Sequence, residues 1–212
     1  MTQIASQLDM ASLLALAAAL GWASGFRLYM VTFLIGAAGF LGWLELPAGL
    51  KLLQHPAMLM ASGAMLFMEF FADKIPGVDT LWDLLNSIIR VPGGALLAAS
   101  VFGADNASMA AVAALLGGTL AASSQVAKTS TRAAINTSPE PFSNIAASLV
   151  EDGLAVGALW LSVAHPLLFA LALVFAVALL AWLTLLMFKF LQIVFRRVSS
   201  WLGRGDQGAM NV

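Results

Sequence analysis

The sequence lacks cysteine and is poor in charge. None of its 212 residues is cysteine, which excludes disulfides, thiolate metal sites and cysteine nucleophiles. Charged residues make up only 10% of the chain, whereas soluble domains carry about 25%. With a mean hydropathy of +0.92, the composition predicts an integral membrane protein and excludes a soluble globular enzyme. The 10 basic and 11 acidic residues exclude the basic excess that is typical of nucleic-acid binding.

The apolar segments predict an all-α membrane protein, a polytopic bundle of about seven transmembrane helices. A spanning helix needs about 20 mostly apolar residues, and inside lipid it satisfies its own backbone hydrogen bonds. In chain order the predicted spans are Leu8 to Ser24, Leu28 to Leu44, Pro56 to Ala72, Leu81 to Phe102, Ser108 to Ala127, Phe142 to Ala164 and Pro166 to Phe188. A broken first hairpin around Gly25 would give six spans instead.

Basic residues set the predicted orientation. With seven spans and a cytoplasmic C-terminus, only Lys51 falls outside and Arg90 lies within a span. The remaining eight lie at cytoplasmic ends or loops: Arg27, Lys74, Lys128, Arg132, Lys189, Arg196, Arg197 and Arg204. We therefore expect a multi-pass protein of the bacterial inner membrane with its N-terminus outside. Residues 1–200 are predicted to form one transmembrane domain, followed by a short cytoplasmic tail over residues 201–212.

The third and fourth predicted helices resemble the fifth and sixth at an offset of about sixty residues, which predicts a two-helix internal repeat. Near the cytoplasmic end of the first unit stand Glu69 and Asp73, and at the same place in the second stand Lys128 and Arg132. Because these charges are opposite, we expect the acidic pair to meet the basic pair.

Two predicted helices also carry polar stripes at intervals of three or four residues, which places their members on one helix face. The fourth carries Asp79, Asp83, Ser87 and Arg90, and the sixth carries Asn144, Ser148, Glu151 and Asp152. A charge deep in a bilayer costs at least about 2.5–3.5 kcal/mol, so buried charges should be paired. We therefore expect Arg90 to meet Glu151 or Asp152.

Two pairs of glycines predict close helix packing. Gly21 and Gly25 lie four residues apart, as do Gly153 and Gly157. Small residues at this spacing allow the backbones of two membrane helices to approach each other.

The charged segments resemble those of an uncharacterised bacterial integral membrane family, domain of unknown function 4126. The resemblance extends from about Leu13 to Leu161 and rests on the segments Gly25-Phe26-Arg27 and Ala72-Asp73-Lys74-Ile75-Pro76, and on Glu69, Val78-Asp79, Asp83, Lys128, Arg132, Asn144, Ser148, Glu151 and Asp152. The loop from Thr137 to Phe142 departs from the glycine-rich loop of that family. The resemblance implies a helical inner-membrane protein and brings no activity or substrate with it.

Several charged residues have two interpretations. Asp79 and Asp83 are candidate ligands for a divalent cation, since carboxylate oxygens suit Mg²⁺ and Ca²⁺, but Asp79 is also placed to stabilise a helix start. Glu151 and Asp152 are either a structural salt bridge or a proton- or cation-handling site. Arg27 follows a glycine and either binds an anionic headgroup or only marks the cytoplasmic side.

These patterns predict a small transporter or channel for an ion or small polar solute, with a charged cluster that opens to the cytoplasm. Its pathway or ligand-binding residues are Arg27, Glu69, Asp73, Lys74, Asp79, Asp83, Arg90, Lys128, Arg132, Asn144, Ser148, Glu151 and Asp152. The alternatives are a metal-dependent enzyme acting on lipid headgroups, with a divalent cation as cofactor, and a non-catalytic scaffold or assembly protein. We expect membrane lipids and further copies of the chain as partners, and no nucleic acid.

Overall fold

Helices account for nearly all of the chain that can be described. The structure is a computed structural model, and it describes residues 9–75, 77–104, 106–136 and 141–202. These residues contain no strand, which confirms the all-α class. The helices are α1 (Met10–Phe40), a 3₁₀ helix (Ala48–Gln54), α2 (Pro56–Ala72), α3 (Val78–Ser100), α4 (Ala107–Ile135), α5 (Pro141–Ala164) and α6 (Pro166–Leu202). The described residues do not include Arg204 or most of the predicted tail. They also leave out residues 137–140, which belong to the loop that differs from the glycine-rich loop of the resembled family.

The helix starts follow from short polar side chains and prolines. Asp9 caps α1 by accepting a hydrogen bond from the backbone of Ser12 at 2.8 Å. Hydrogen bonds from the side chain and backbone of Ser12 also lower the pKa of Asp9. Asn106 caps α4 in the same way, and α2 begins with Pro56, whose missing N–H costs nothing at the first helical position.

Within the described part of the chain, four helical segments are long and apolar enough to cross a membrane: Met10–Phe40, Ala107–Ile135, Phe142–Ala164 and Pro166–Leu186. The shorter α2 is also apolar. Large apolar side chains cover the outside of the helices, with Ile88 77% exposed and Leu115 75% exposed. Because charged side chains are buried while these are exposed, the chain reverses the usual distribution of a soluble domain.

A break at Arg27 divides α1. Its backbone angles, φ -145° and ψ 67°, are not helical, whereas the residues on both sides are. The first two predicted spans are therefore two arms of one element, residues 10–26 and 28–40. The connection that carries Arg27, predicted to lie at the cytoplasmic surface, is instead helical and buried up to the break.

The first arm follows the direction of α4. Gly21 lies against Gly117, and a Cβ atom at Gly21 would come within 2.5 Å of the Gly117 Cα. Gly25 lies farther along, against Ser124. This close approach confirms the packing predicted for the first glycine pair. Among the described residues the same prediction fails for the second pair, because a Cβ at Gly153 or Gly157 would meet none of them within 4 Å.

The second arm returns in the opposite direction. Gly36 packs near Leu59 at the start of α2, and Phe33 packs near Gly63, one turn later. The second arm therefore runs antiparallel to α2. Since α2 and α4 approach the same charged side chains as they proceed, the two arms of α1 form a hairpin whose tip is Arg27.

The chain divides into two compact units after Ala172. The first unit contains α1 to α5 and the start of α6. The second begins at Leu173 and consists, in the residues described, of the rest of α6. The single domain predicted over residues 1–200 stays a prediction.

Candidate functional site

Nine charged side chains meet around the tip of the α1 hairpin. We call them the charged cluster. Its four basic members are Arg27, Arg90, Lys128 and Arg132, and its five acidic members are Glu69, Asp73, Asp83, Glu151 and Asp152. All except Asp152 are buried, and five helices contribute at least one member each.

Arg27 connects α1 to α2 and α5. Its guanidinium donates a hydrogen bond to Asp73 and lies 2.8 Å from Asp152 through Nε. It also donates to the Ser148 hydroxyl at 2.7 Å and lies 3.5 Å from Glu151. The side chain at the break of α1 thus contacts two other helices.

Arg90 connects α2, α3 and α4. It donates to Glu69 at 2.6 Å, to Asp83 at 2.8 Å and to the side-chain oxygen of Gln125 at 3.1 Å. The predicted contact of Arg90 with Glu151 or Asp152 is therefore wrong, and Asp152 pairs with Arg27 instead. The physical reason is that Glu69 and Asp83 lie nearer, and their charges already neutralise the arginine.

Arg132 and Glu151 form a two-pronged ion pair between α4 and α5. The Nε and one terminal nitrogen of Arg132 each lie 3.2 Å from a different oxygen of Glu151. Arg132 also donates to the Asn144 side chain at 3.2 Å and to the Asp73 carbonyl at 3.1 Å. Arginine suits this position because its planar fork can serve several acceptors at once.

Lys128 lies at the centre of the charged cluster. Its ammonium donates to the carbonyl oxygen of Phe26, the last residue of the first α1 arm, at 3.2 Å. It also lies within 4 Å of four carboxylates: Asp83 at 3.1 Å, Glu151 at 3.3 Å, Asp73 at 3.5 Å and Glu69 at 3.8 Å. The predicted meeting of the acidic pair with the basic pair is thus confirmed, and Arg132 adds a 3.7 Å contact to Asp73.

Asp79 and Lys74 lie beside the charged cluster. One oxygen of Asp79 accepts from the Gly77 backbone at 2.8 Å and the other accepts from Asn136 at 2.9 Å. This arrangement agrees with its interpretation as a residue of the helix start. The Lys74 ammonium donates to the Phe70 carbonyl and lies over the Phe70 ring, and desolvation lowers its pKa.

The geometry does not bring Asp79 and Asp83 together as metal ligands. Asp79 is bound by backbone and amide donors, whereas Asp83 is held by Arg90 and Lys128. Within the ranges that the structure describes, no group of three or more histidine, aspartate or glutamate side chains is arranged to hold a metal ion.

Two polar residues of the site were missed from the sequence. Gln125 contacts Arg90, and Asn86 accepts a hydrogen bond from the Tyr29 hydroxyl at 2.7 Å. The spacing of both residues in the sequence could have indicated their place in the site. Gln125 lies three residues before Lys128, and Asn86, rather than the predicted Ser87, continues the buried stripe of α3.

Three of the basic residues assigned to the cytoplasmic surface are buried instead. Arg27, Lys128 and Arg132 are each at most 2% exposed. They belong to the charged cluster, and their positions are set by carboxylates rather than by the charge asymmetry of a membrane. Orientation therefore depends on the remaining basic residues.

A narrow cleft reaches the charged cluster between α3 and α4. Its volume is about 170 Å³, and it is lined by Asp83, Leu84, Ser87, Thr129, Arg132 and Ala133. A larger and mostly apolar cavity of about 430 Å³ lies among the second α1 arm, the 3₁₀ helix, α2 and α3. Tyr29 lines this larger cavity, and its hydroxyl donates a hydrogen bond to the side chain of Asn86.

The fold and the site together define a class: an all-helical protein with an apolar exterior and an interior cluster of ion pairs centred on a broken helix. The comparisons with known proteins place the chain more narrowly. Residues 14–185 match the model of the family described as a domain of unknown function, DUF4126, and the chain belongs to this family. No curated protein and no solved structure matches the chain.

Proposed function

We propose that the protein is a small membrane transporter, and that the charged cluster binds the transported ion or small polar solute. The observation that carries this proposal is the break of α1 at Arg27. Transporters commonly place their binding sites at discontinuous helices, where side chains and freed backbone groups can contact a solute. Here an apolar helix is interrupted at its one charged residue, and that residue lies among four carboxylates.

The cost of the charged cluster supports a role in addition to packing. Replacing buried ion pairs by well-packed apolar groups is often neutral or stabilising by about 1–4 kcal/mol. A helix bundle that only needed cohesion would therefore gain little from nine charges. The cleft that reaches Asp83 and Arg132 also offers a route from the surface to the charged cluster.

A scaffold or assembly protein is the second candidate. Every basic member of the charged cluster contacts at least two carboxylates, and such a network fixes the relative positions of five helices. The third alternative, a metal-dependent enzyme acting on lipid headgroups, receives no comparable support. Its candidate metal ligands, Asp79 and Asp83, have other partners.

The two candidates separate in reconstituted vesicles. We expect purified protein in liposomes to produce solute-induced currents on a solid-supported membrane, tested with sodium, potassium, magnesium, phosphate and a mixture of amino acids. Lys128→Met should reduce the current at least tenfold, because it removes the charge that contacts four carboxylates. The matched Lys51→Met, at an exposed position of the 3₁₀ helix, should not.

Absence of any solute-induced current from the unmodified protein would overturn the transporter and leave the scaffold. A current that both lysine variants carry equally would show transport by a route that avoids the charged cluster, and would overturn its assignment as the binding site.

We further propose seven membrane passes, formed by the two arms of α1 and by α2 to α6, with the two-helix repeat as α2–α3 and α4–α5. In this topology both ends of the α1 hairpin emerge outside the cell and the α2–α3 turn emerges in the cytoplasm. The basic residues outside the charged cluster support this orientation by their place in the sequence, since Lys51 alone falls on the outer side in this topology.

The absence of cysteine makes this topology directly measurable. A membrane-impermeant maleimide should label Asp9→Cys and Trp43→Cys in intact cells, because the hairpin brings both positions to one side. Lys74→Cys should be labelled only after permeabilisation. If α1 were instead one straight pass, Asp9→Cys and Trp43→Cys would react from opposite sides, which would contradict the hairpin topology.

A further inference from the structure

The larger cavity separates two helix faces that share one pattern. Four residues of α2, from Met58 to Met65, and four of α3, from Gly93 to Ser100, line it. In both helices the lining positions follow steps of three, one and three residues, which places them on one face over two turns, roughly 10 Å. Such faces usually pack against each other, yet α2 and α3 make few contacts. A gap of about 430 Å³ between two apolar faces indicates an occupant, because protein interiors are close-packed.

The walls of this cavity are apolar, and their hydroxyl groups are already bonded. Thr32, Ser62 and Ser100 each donate to the carbonyl four residues earlier in their own helix, at 2.6 to 2.8 Å. Tyr29 donates to the side chain of Asn86 at 2.7 Å. Because a hydroxyl has one proton, the described lining residues keep no side-chain donor for a guest. A polar solute would lose its hydrogen bonds to water here without replacing them, so the cavity suits a hydrocarbon chain.

The cavity opens on the apolar outside of the helix bundle. The second α1 arm and the 3₁₀ helix complete its walls, and Gly49 of the 3₁₀ helix lies against the Ser100 carbonyl at the end of α3. Two lining residues, Leu52 and Leu96, are 67% and 68% exposed, so exposed apolar side chains border the opening. In the membrane passes proposed above, this exterior faces lipid. The cavity is therefore continuous with the surface that acyl chains cover, and such a chain can enter it without crossing water.

The charge of the lining decides which part of a lipid enters. Within the described part of the chain, no charged residue lines the cavity. A phosphate or ammonium group would lose its hydration there without gaining a partner, whereas the burial of methylene groups is favourable. The acyl chains of a bilayer core belong mainly to phospholipids, so a phospholipid is the nearest source of a chain at this opening.

We propose that the cavity is a lipid site in which one acyl chain of a membrane phospholipid lies between α2 and α3. The chain enters sideways past Leu52 and Leu96, and its headgroup stays outside the cavity. It supplies the packing that the two helix faces do not give each other, and it contacts Tyr29, two residues after the break of α1. The lipid site requires the proposed membrane passes, which the maleimide labelling tests separately, but it does not require transport.

Photo-crosslinking of the full-length protein in phosphatidylcholine vesicles tests this site. The probe is a phosphatidylcholine that carries a diazirine in the middle of one acyl chain. We expect adducts at Leu53 and Leu97, which line the cavity and are each only 7% exposed, in addition to adducts at exposed positions such as Ile88. Ala61→Phe, which adds a ring at a lining position, should lower the yield at the two buried leucines at least fivefold and keep the yield at Ile88. The matched Ala64→Phe, at an exposed position of α2 outside the cavity lining, should change neither yield.

Adducts confined to exposed positions would overturn the lipid site, because lipids that merely surround the protein give that pattern. Adducts at Leu53 and Leu97 that persist undiminished in Ala61→Phe would overturn it as well. Should Ala61→Phe fail to fold, Met65→Trp fills the gap from the end nearer the charged cluster and should cause the same loss. A free fatty acid with the same diazirine is the comparison probe. If it labelled the buried leucines and the phosphatidylcholine probe did not, the cavity would take a fatty acid and the phospholipid proposal would be wrong.

Discussion

Replacement of Arg27 by methionine is expected to lower the free energy of unfolding by about 3–5 kcal/mol, the usual cost of removing one partner from a buried ion pair. The substitution leaves Asp73 and Asp152 without their shortest ionic contacts and removes the donor to Ser148. Since protein stabilities are about 5–15 kcal/mol, this loss approaches the whole margin. Thermal unfolding of the purified protein in detergent, followed by circular dichroism, measures the effect.

Two further variants distinguish the role of Arg27 from a general sensitivity to substitution. Lys51→Met removes a positive charge from the exposed 3₁₀ helix and should melt like the unmodified protein. Asp73→Asn, added to Arg27→Met, should recover part of the loss, because it removes one of the abandoned charges. If the Arg27→Met protein unfolded at the same temperature as the unmodified protein, the result would contradict the expected contribution of Arg27 to stability.

Removing both Glu151 and Arg132 is expected to be less damaging than removing either one. Each single change to leucine leaves a buried charge that has lost its two-pronged partner, at a cost of about 3–5 kcal/mol. The double change removes the pair and leaves the net charge of the cluster unaltered. We therefore expect a coupling energy of up to about 3 kcal/mol in a double-mutant cycle of unfolding.

The comparison cycle pairs Glu151 with Arg90, which prefer different partners in the structure. Leucine at both positions should give effects that are closer to additive than in the first cycle. Strong coupling between Arg90 and Glu151, together with weak coupling between Arg132 and Glu151, would contradict the observed pairing and favour the pairing predicted from the sequence.

The members of the charged cluster could be predicted from the sequence because ionisable residues are rare in apolar segments. Glu69, Lys128 and Glu151 stand out against such a background, and insertion costs alone indicate that they face one another or water. The partners could not be predicted in the same way. The position of a residue along its helix gives its depth only to within about one turn. Which carboxylate pairs with an arginine depends on differences in distance of about 1 Å.

The hairpin of α1 was only partly predictable. Apolar length predicted two spans, but Arg27 was assigned to a surface connection because basic residues usually mark one side of a membrane. Nothing in the local sequence distinguishes an arginine that meets headgroups from one that meets Asp73 and Asp152. That distinction depends on helices more than 40 residues away along the chain.

The sequence by itself determined the helical class and the identities of the charged residues, because hydropathy and charge are properties of each residue and its near neighbours. Only the tertiary structure decided that α1 reverses at Arg27, that Lys128 lies among four carboxylates, and that a cleft reaches Asp83. These features arise from long-range packing, such as that of Gly21 against Gly117, in which the fit of one backbone against another fixes which charges meet.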